Sequence, residues 1–402
     1  MDQPARIVEP EAAAACGLVL PGGGARAAYQ AGVLKAIADL VPDTGPNPFP
    51  IITGTSAGAI NAAKMASHAA EFHDGAALLA GIWENLAVKQ VYRADLWTML
   101  STTARWLATL VHGGSGRHIP RALLDNSPLR QLLQRSIRFT QIERAIASGA
   151  LRALAITASG YSSARSVAFY NGVSGIEPWS RERREGRRAA IGLDHIMASI
   201  ALPMIFPSVA IESEFFGDGS MRQGAPLSPA IHLGASKLLI IAVRNEQPNE
   251  ILIRPRGPIY PSFGEIAGYV LDTLFMDSLY TDLERLMRVN QTYEHMPQAA
   301  RDAETPNLRI IDTLVIAPSR DISEIAERHR HEFPRKVNAL LKRIGAHRAE
   351  GNQLISYLLF SGSFCQELVE LGYRDGMANQ IRLQEFLGVS DESAVPANAH
   401  GA

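Results

Sequence analysis

Three short stretches bring together groups that could do chemistry. Gly54-Thr55-Ser56-Ala57-Gly58 has the spacing G-x-S-x-G. A serine in that frame sits on a sharp strand-to-helix turn, and the positions two residues either side must lack side chains because the backbones pass closely. Its hydroxyl then stands at the N-terminus of the following helix, where the helix dipole and free N–H groups favour developing negative charge. That setting suits a nucleophile; the plainer reading is a glycine-rich turn that only packs a helix on a sheet. About 30 residues earlier lies Gly22-Gly23-Gly24-Ala25-Arg26. Consecutive glycines can aim backbone N–H groups at an oxyanion. The stretch also fits the dinucleotide fingerprint G-x-G-x-x-A from Gly22 to Ala27. That fingerprint asks for an acidic residue at the end of the second strand, and the chain has Thr53-Gly54-Thr55-Ser56 there. The phosphate-cradling G-x-x-x-x-G-K-[ST] is absent. The third stretch is Phe216-Gly217-Asp218-Gly219-Ser220. A short apolar strand delivers a carboxylate between glycines that let another backbone come close, although an isolated Asp-Gly is usually a turn.

The elements that must position these groups follow from hydrophobic patterning. Gly17–Leu20 reads as a strand that stops at Pro21-Gly22, and Arg26–Leu40 as a helix with Ala28, Ala31, Leu34 and Ile37 at helical spacing. Phe49–Thr53 is a second strand, and Ala59–Ala70 a helix of small residues. Strand, tight turn, helix, twice over, predicts a parallel sheet covered by helices. Residues 78–147 read as helical, with Ser127 as N-cap and Pro128 as first helical residue of one helix. Leu151–Ala158 and Ser166–Tyr170 read as strands of a hairpin, His195–Ile200 as a helix closed by Pro203, and Val209–Ile211, Glu214–Phe216 and Lys237–Val243 as further strands. Phe263–Val289 predicts one long amphipathic helix, Leu308–Ile316 a strand, and 321–388 mostly helix. The expected organisation is a leader over 1–14, a catalytic domain over 15–250, a mostly helical region over 251–389 packed on or appended to it, and a disordered tail over 390–402.

Taken together, GGGxR, GxSxG and a strand-end Asp-Gly resemble the patatin-like phospholipase family. Ala198-Ser199-Ile200-Ala201-Leu202-Pro203 with Phe206-Pro207 is similar to the segment before the family's aspartate. Ala225-Pro226-Leu227 with Leu233-Gly234-Ala235 is similar to the segment after it. The likeness covers residues 16–245; Ala317-Pro318-Ser319 and Leu371-Gly372-Tyr373 extend it less specifically. Ser220 stands where the family usually has Gly or Ala. The resemblance implies an α/β fold with a mostly parallel central sheet in a three-layer α/β/α arrangement and a helical C-terminal extension. It implies a lipid acyl hydrolase with a Ser–Asp dyad: Ser56 as nucleophile, Asp218 as general base, and the N–H groups of Gly22, Gly23 and Gly24, with Ala57, as oxyanion hole. Gly54, Gly58 and Gly219 would support the turns. Arg26 would hold the glycine loop or neutralise charge nearby. No cofactor or metal is called for.

An exposed aspartate with pKa ~3.9 is a poor base for a hydroxyl, so Phe215 and Phe216 are expected to desolvate Asp218 and raise it. The rival mechanism is a Ser–Asp–His triad. His232, His295, His329, His331 and His347 follow Asp218, and none lies in a glycine-rich or strand-end setting. His329 and His331, two apart on a predicted helix, face different sides and read as surface residues, not metal ligands.

The remaining composition narrows the partners. The chain has 402 residues and a formal net charge of −1, without the basic footprint of a nucleic-acid binder. The five arginines between Arg181 and Arg188 read as a solvated loop, or alternatively as a contact for anionic headgroups. Cys16 and Cys365 cannot form a disulfide framework and read as buried free thiols. No signal peptide or membrane span is evident, so a cytoplasmic protein meeting membranes at their surface is expected. Tyr92–Val111, with Trp97 and Trp106, and Phe263–Phe275 each read as a core-packed helix or as a cap that touches a bilayer and guides an acyl chain. A lipid-binding scaffold without turnover, and an acyltransferase or neutral lipase using the same site, are the alternative functions.

Overall fold

The structure is a computed structural model; it describes residues 15–93, 122–245, 260–298, 301, 308–347 and 352–389. The leader, the tail, and Trp97 and Trp106 of the Tyr92–Val111 stretch lie outside the described residues. The fold is α/β, built on one mixed, mostly parallel sheet with helices on it.

Each half of the sheet has its own sequence logic. The strands β1 (Cys16–Leu20), β2 (Ile51–Thr55), β3 (Ala153–Gly160) and β9 (Lys237–Ile241) are almost wholly buried. They read as continuous apolar or small-residue runs because helices cover both their faces. With β10 (Asp312–Ile316) they form a parallel block in the order β10-β9-β1-β2-β3. Beyond β3 the sheet turns antiparallel to β4 (Ser166–Gly172), then continues to β6 (Arg184–Arg188) and β5 (Trp179–Ser180). A final hairpin, β7 (Val209–Ile211) and β8 (Glu214–Asp218), joins through β8, antiparallel to the end of β3.

The first two helices, α1 (Ala28–Leu40) and α2 (Ala57–Ala66), are buried nearly throughout. A short 3-10 turn over Gly24–Ala27 leads into α1. The C-terminal helix Gly362–Ala378 lies on α1 through facing glycines: a Cβ on Gly32 would fall 2.0 Å from the Val369 carbonyl, and one on Gly372 2.1 Å from that of Tyr29. Small residues let two backbones approach where any side chain would hold them apart.

Three expectations change. The arginine cluster is only in part a loop: residues 181–183 form an exposed turn, and Arg184–Arg188 is the strand β6, parallel to β4. Two of its cations are held by several partners, with Arg187 on Glu185 and Glu212 and Arg188 on the carbonyls of Gly172, Val173 and Ile176. Hydrogen-bonded partners brought from other segments override a composition that reads as solvated. The predicted helix Phe263–Val289 is interrupted: Phe263–Asp272 and Ser278–His295 are joined by a π-turn over Thr273–Asp277, which turns Phe275 into the core. The helix at Ser127–Ser136 begins at Ser127 with Asn126 as N-cap, one residue earlier than the Ser-Pro signature predicts. Both cysteines are free and buried, as expected, and burial pushes Cys16 up to about 12. Among the described residues no helix is long and apolar enough to cross a membrane.

Candidate active site

The parallel block places Ser56 directly after β2. Ser56 adopts φ 53° and ψ −130°, a left-handed conformation that few side-chain-bearing residues take. Such strain costs on the order of 1–3 kcal/mol and persists only where the surroundings enforce it. Here they do. A Cβ on Gly58 would lie 2.1 Å from the Leu20 carbonyl, and one on Gly54 2.5 Å from the Gly58 carbonyl. Only bare backbone passes on either side of the serine. From behind, the Ser56 N–H donates to Ser199 Oγ at 2.8 Å, and the Ser199 hydroxyl donates to the Thr157 carbonyl at 2.6 Å.

Sheet register brings the carboxylate to meet it. Thr55, the last residue of β2, pairs with Thr157 of β3, and Asp218, the last of β8, pairs with Ala158. The strands β2 and β8 therefore run head-on along one flank of β3, and their C-terminal ends meet. Ser56 Oγ donates to Asp218 Oδ2 at 2.6 Å. Asp218 Oδ1 accepts from the Ser220 N–H at 2.9 Å, and the Asp218 N–H donates to the Ala201 carbonyl at 2.8 Å. Gly219 admits β3, since a Cβ there would lie 2.1 Å from the Thr157 carbonyl.

Burial is complete at Asp218, and the loss of solvent pushes its pKa up to about 6; hydrogen bonds from Ser56 and Ser220 pull the other way and lose. Of the two expected desolvating rings, Phe216 is buried but Phe215 is exposed. The rest of the desolvation comes from the fold around the strand end. Ser220 keeps a place beside the carboxylate and donates its backbone N–H to it.

The glycine loop is held from several sides. Gln30 donates to the Pro21 carbonyl at 2.9 Å and to the Ile241 carbonyl at 3.1 Å. A trans peptide sets C=O and N–H on opposite sides, so this bond turns the Gly22 N–H away from Gln30. Asn61 donates to Gln30 at 2.9 Å and accepts from Trp83 Nε1 at 2.8 Å. Among the described residues, the N–H groups of Gly22, Gly23, Gly24 and Ala57 make no hydrogen bond. The glycines are needed on their other side. A Cβ would meet the Phe275 ring at Gly22, Val243 at Gly23 and the Tyr357 carbonyl at Gly24, whose φ is +56°. The protein itself fills those places.

Arg26 is buried and points into the C-terminal layer. It donates to Ser356 Oγ at 2.8 Å, to Asp272 at 3.3 Å and to Gln353, and its guanidinium lies 4.0 Å from the Tyr357 ring centre. Asp272 also holds Arg244 at 2.6 Å and accepts from the Tyr357 hydroxyl at 2.9 Å. The cation is spent on joining loop to helices, and of its two expected roles only the first has contacts.

No histidine among the described residues hydrogen-bonds Ser56 or Asp218. His232 stacks on Trp179 with ring centres 4.7 Å apart, and burial with nearby arginines lowers it to about 4. His329 bonds Glu332 and Glu367. No cluster of three or more metal-ligating side chains occurs among the described residues.

Ser56, Ala57 and Gly24 open on a pocket whose remaining lining is apolar, including Trp83, Leu133, Leu202, Phe206 and Phe360. A polar floor under apolar walls suits a molecule with one polar reacting group and a hydrocarbon body.

The family model for patatin-like phospholipases matches residues 18–231, from β1 through the glycine loop, the serine turn and Asp218. The chain belongs to the patatin-like phospholipase family. Members are typically serine hydrolases. Among solved structures the chain is similar to VipD from Legionella pneumophila, at 11% identity over 76% of this chain and 61% of that one, with a TM-score of 0.31. This chain thus spans less than two thirds of that protein's chain. No curated protein matches.

Sequence reasoning missed Ser199, Gln30 and Asn61. Ser199 lies in a segment already resembling the family, but nothing local says that its hydroxyl reaches the serine turn 143 positions away.

Proposed function

We propose that the protein is a lipid acyl hydrolase that works through an acyl-enzyme on Ser56. The observation that carries this reading is the 2.6 Å Ser56–Asp218 bond, made on a left-handed turn at a helix N-terminus over an apolar pocket. The pocket holds the acyl chain and sets the ester carbonyl over Ser56. Asp218 Oδ2 takes the Ser56 proton as Oγ attacks the carbonyl carbon. The tetrahedral oxyanion is met by N–H groups of Gly22, Gly23 and Gly24, with Ala57 at the helix start. As the carbon–oxygen bond breaks, the proton passes from Asp218 to the leaving alcohol. Water then attacks the acyl-enzyme with Asp218 as base, and the acid departs as Ser56 regains its proton. An aspartate near pKa 6 is a far better base for this than an exposed one, yet is ionised at neutral pH. The substrate class is a phospholipid or lysophospholipid; interception of the acyl-enzyme by a lipid alcohol would make the same site an acyltransferase.

The test is hydrolysis of a fluorogenic medium-chain ester and of phospholipid vesicles, with EDTA present. Ser56→Ala and Asp218→Asn should each lose about ten-thousand-fold or more in kcat/KM, while His232→Ala should retain activity. Wild type without turnover on any ester, yet binding lipid as well as Ser56→Ala does, would instead mark a lipid-binding scaffold.

A further inference from the structure

The helix Phe263–Asp272 is amphipathic in the inverted sense. Its two carboxylates, Glu265 and Asp272, are buried, one closing a capping box with Ser262 and the other holding Arg26. Its outward positions are Phe263, Ile266, Tyr269 and Val270, and Tyr260 precedes them; Tyr260, Phe263 and Tyr269 are 87%, 70% and 72% exposed. No charged side chain is exposed on this helix. A surface helix normally turns such residues to the core.

A second helix, Arg335–Arg343, ends against the start of the first. The Gly264 N–H donates to the Ile344 carbonyl at 2.7 Å, and the Ser262 hydroxyl donates to the Gly345 carbonyl at 3.2 Å. That helix exposes Arg335, Lys336, Lys342 and Arg343, with Leu340, and contains no acidic residue. None of the four cations has an ion-pair partner among the described residues. Lys342 and Arg343 suit the helix dipole, but Arg335 and Lys336 stand at the end where it opposes them. Two cations held against the dipole without partners leave charge to be answered from outside.

We propose that these two helices dock the protein on an anionic lipid bilayer, the aromatic and aliphatic side chains entering the headgroup boundary and the cations meeting lipid phosphates. Exposed aromatic side chains beside unpaired cations have the composition of an interfacial element, and the positive charge complements an anionic surface. The proposal rests on the hydrolase reading, which makes a lipid surface the place of work. The docking helix also carries Asp272, and Phe275 one turn on, which contact Arg26 and border Gly22 of the glycine loop.

Binding is separable from turnover. The full chain carrying Ser56→Ala would be tested by flotation with phosphatidylcholine vesicles and with vesicles of phosphatidylcholine and phosphatidylglycerol. Expected is clear preference for the anionic vesicles, weakening as salt rises. Phe263→Ser/Tyr269→Ser should lower that affinity at least about tenfold, and Lys336→Gln/Lys342→Gln by roughly fivefold for each cation removed. In the wild-type background both pairs should leave soluble-ester turnover unchanged, and circular dichroism should match the parent. Equal binding by parent and variants, or no preference for anionic lipid, would overturn the docking surface. So would a dimer that Phe263→Ser/Tyr269→Ser dissociates with vesicle binding intact, since the face would then belong to a second copy. Vesicle binding with the expected variant pattern but no turnover on any ester would uphold docking and defeat the hydrolase reading instead.

Discussion

At the scale of single residues, one buried carboxylate governs both the proposed chemistry and its cost. Asp218 must be ionised to accept a proton, so kcat/KM should climb with pH and level off above an apparent pKa of about 6. A stopped-assay pH profile on a soluble ester checks this; a plateau already reached at pH 4.5 would contradict it. The same raised pKa bears on stability. Because the folded-state value lies above the unfolded one, the protonated form is favoured by folding. The contribution of Asp218 to stability is therefore full below about pH 4 and is lost as pH rises through about 6. Asp218→Asn removes the buried charge and can still accept from Ser220 and pair with Ser56. At pH 8 it should raise the unfolding free energy by roughly 1–3 kcal/mol while abolishing turnover; the gain should shrink at pH 5. Ser199 poses the opposite case. Ser199→Ala leaves the Ser56 N–H unpaired behind a strained turn, at a cost of about 1–3 kcal/mol. Activity should fall mainly in kcat, because the turn and not the pocket is loosened. Urea unfolding and steady-state kinetics together separate the two effects.

At the scale of elements, the glycine loop belongs as much to the C-terminal helices as to the strand that leads into it. Arg26 spans that boundary with bonds to Ser356, Gln353 and Asp272. Breaking a buried pair strands the remaining charge, so Arg26→Met should destabilise by about 3–5 kcal/mol, read from urea unfolding. Arg26→Lys keeps the charge but lacks the planar fork that reaches three partners; its stability loss should be smaller, with turnover reduced. The α1 contact with Gly362–Ala378 is governed by shape. Gly372→Ala drives a methyl to within 2.1 Å of the Tyr29 carbonyl. Neither backbone can yield cheaply, and a loss on the order of 3 kcal/mol is expected.

At the scale of the whole molecule, the region after residue 250 completes the sheet and the core. Its strand β10 extends the parallel block beside β9, Phe275 and Tyr357 pack on the glycine loop, and Gly362–Ala378 covers α1. A chain ending at Asn245 would expose the edge of β9, strip Arg26 of its acceptors and of the layer that buries it, and uncover α1. It should be insoluble or lack a cooperative thermal transition, although it would retain every residue of the proposed dyad and oxyanion hole. Expression of that truncated chain and a melting curve decide the matter.

Local pattern made much of this protein legible. Alternation of apolar strands and helices predicted the parallel block, because burial on both faces leaves continuous apolar runs. The glycines around Ser56 announced a turn that only bare backbone can make. Asp218 was readable because a strand-end carboxylate between glycines complements the other two motifs. What only the tertiary structure decided are relations between distant segments. Nothing in Glu214–Asp218 says that it enters against the end of β3 to meet β2 head-on. Nothing in the arginine cluster says that its partners lie on Glu212 and on the carbonyls at and after the end of β4. Helical spacing over Phe263–Val289 could not reveal the π-turn or which face would be outward, since its buried carboxylates find their reasons in Arg26 and Ser262. Sequence spacing determines what an element can be. Register, crossing and partner choice are settled when long-range contacts compete for the same surfaces, and those contacts are written in no single stretch of chain.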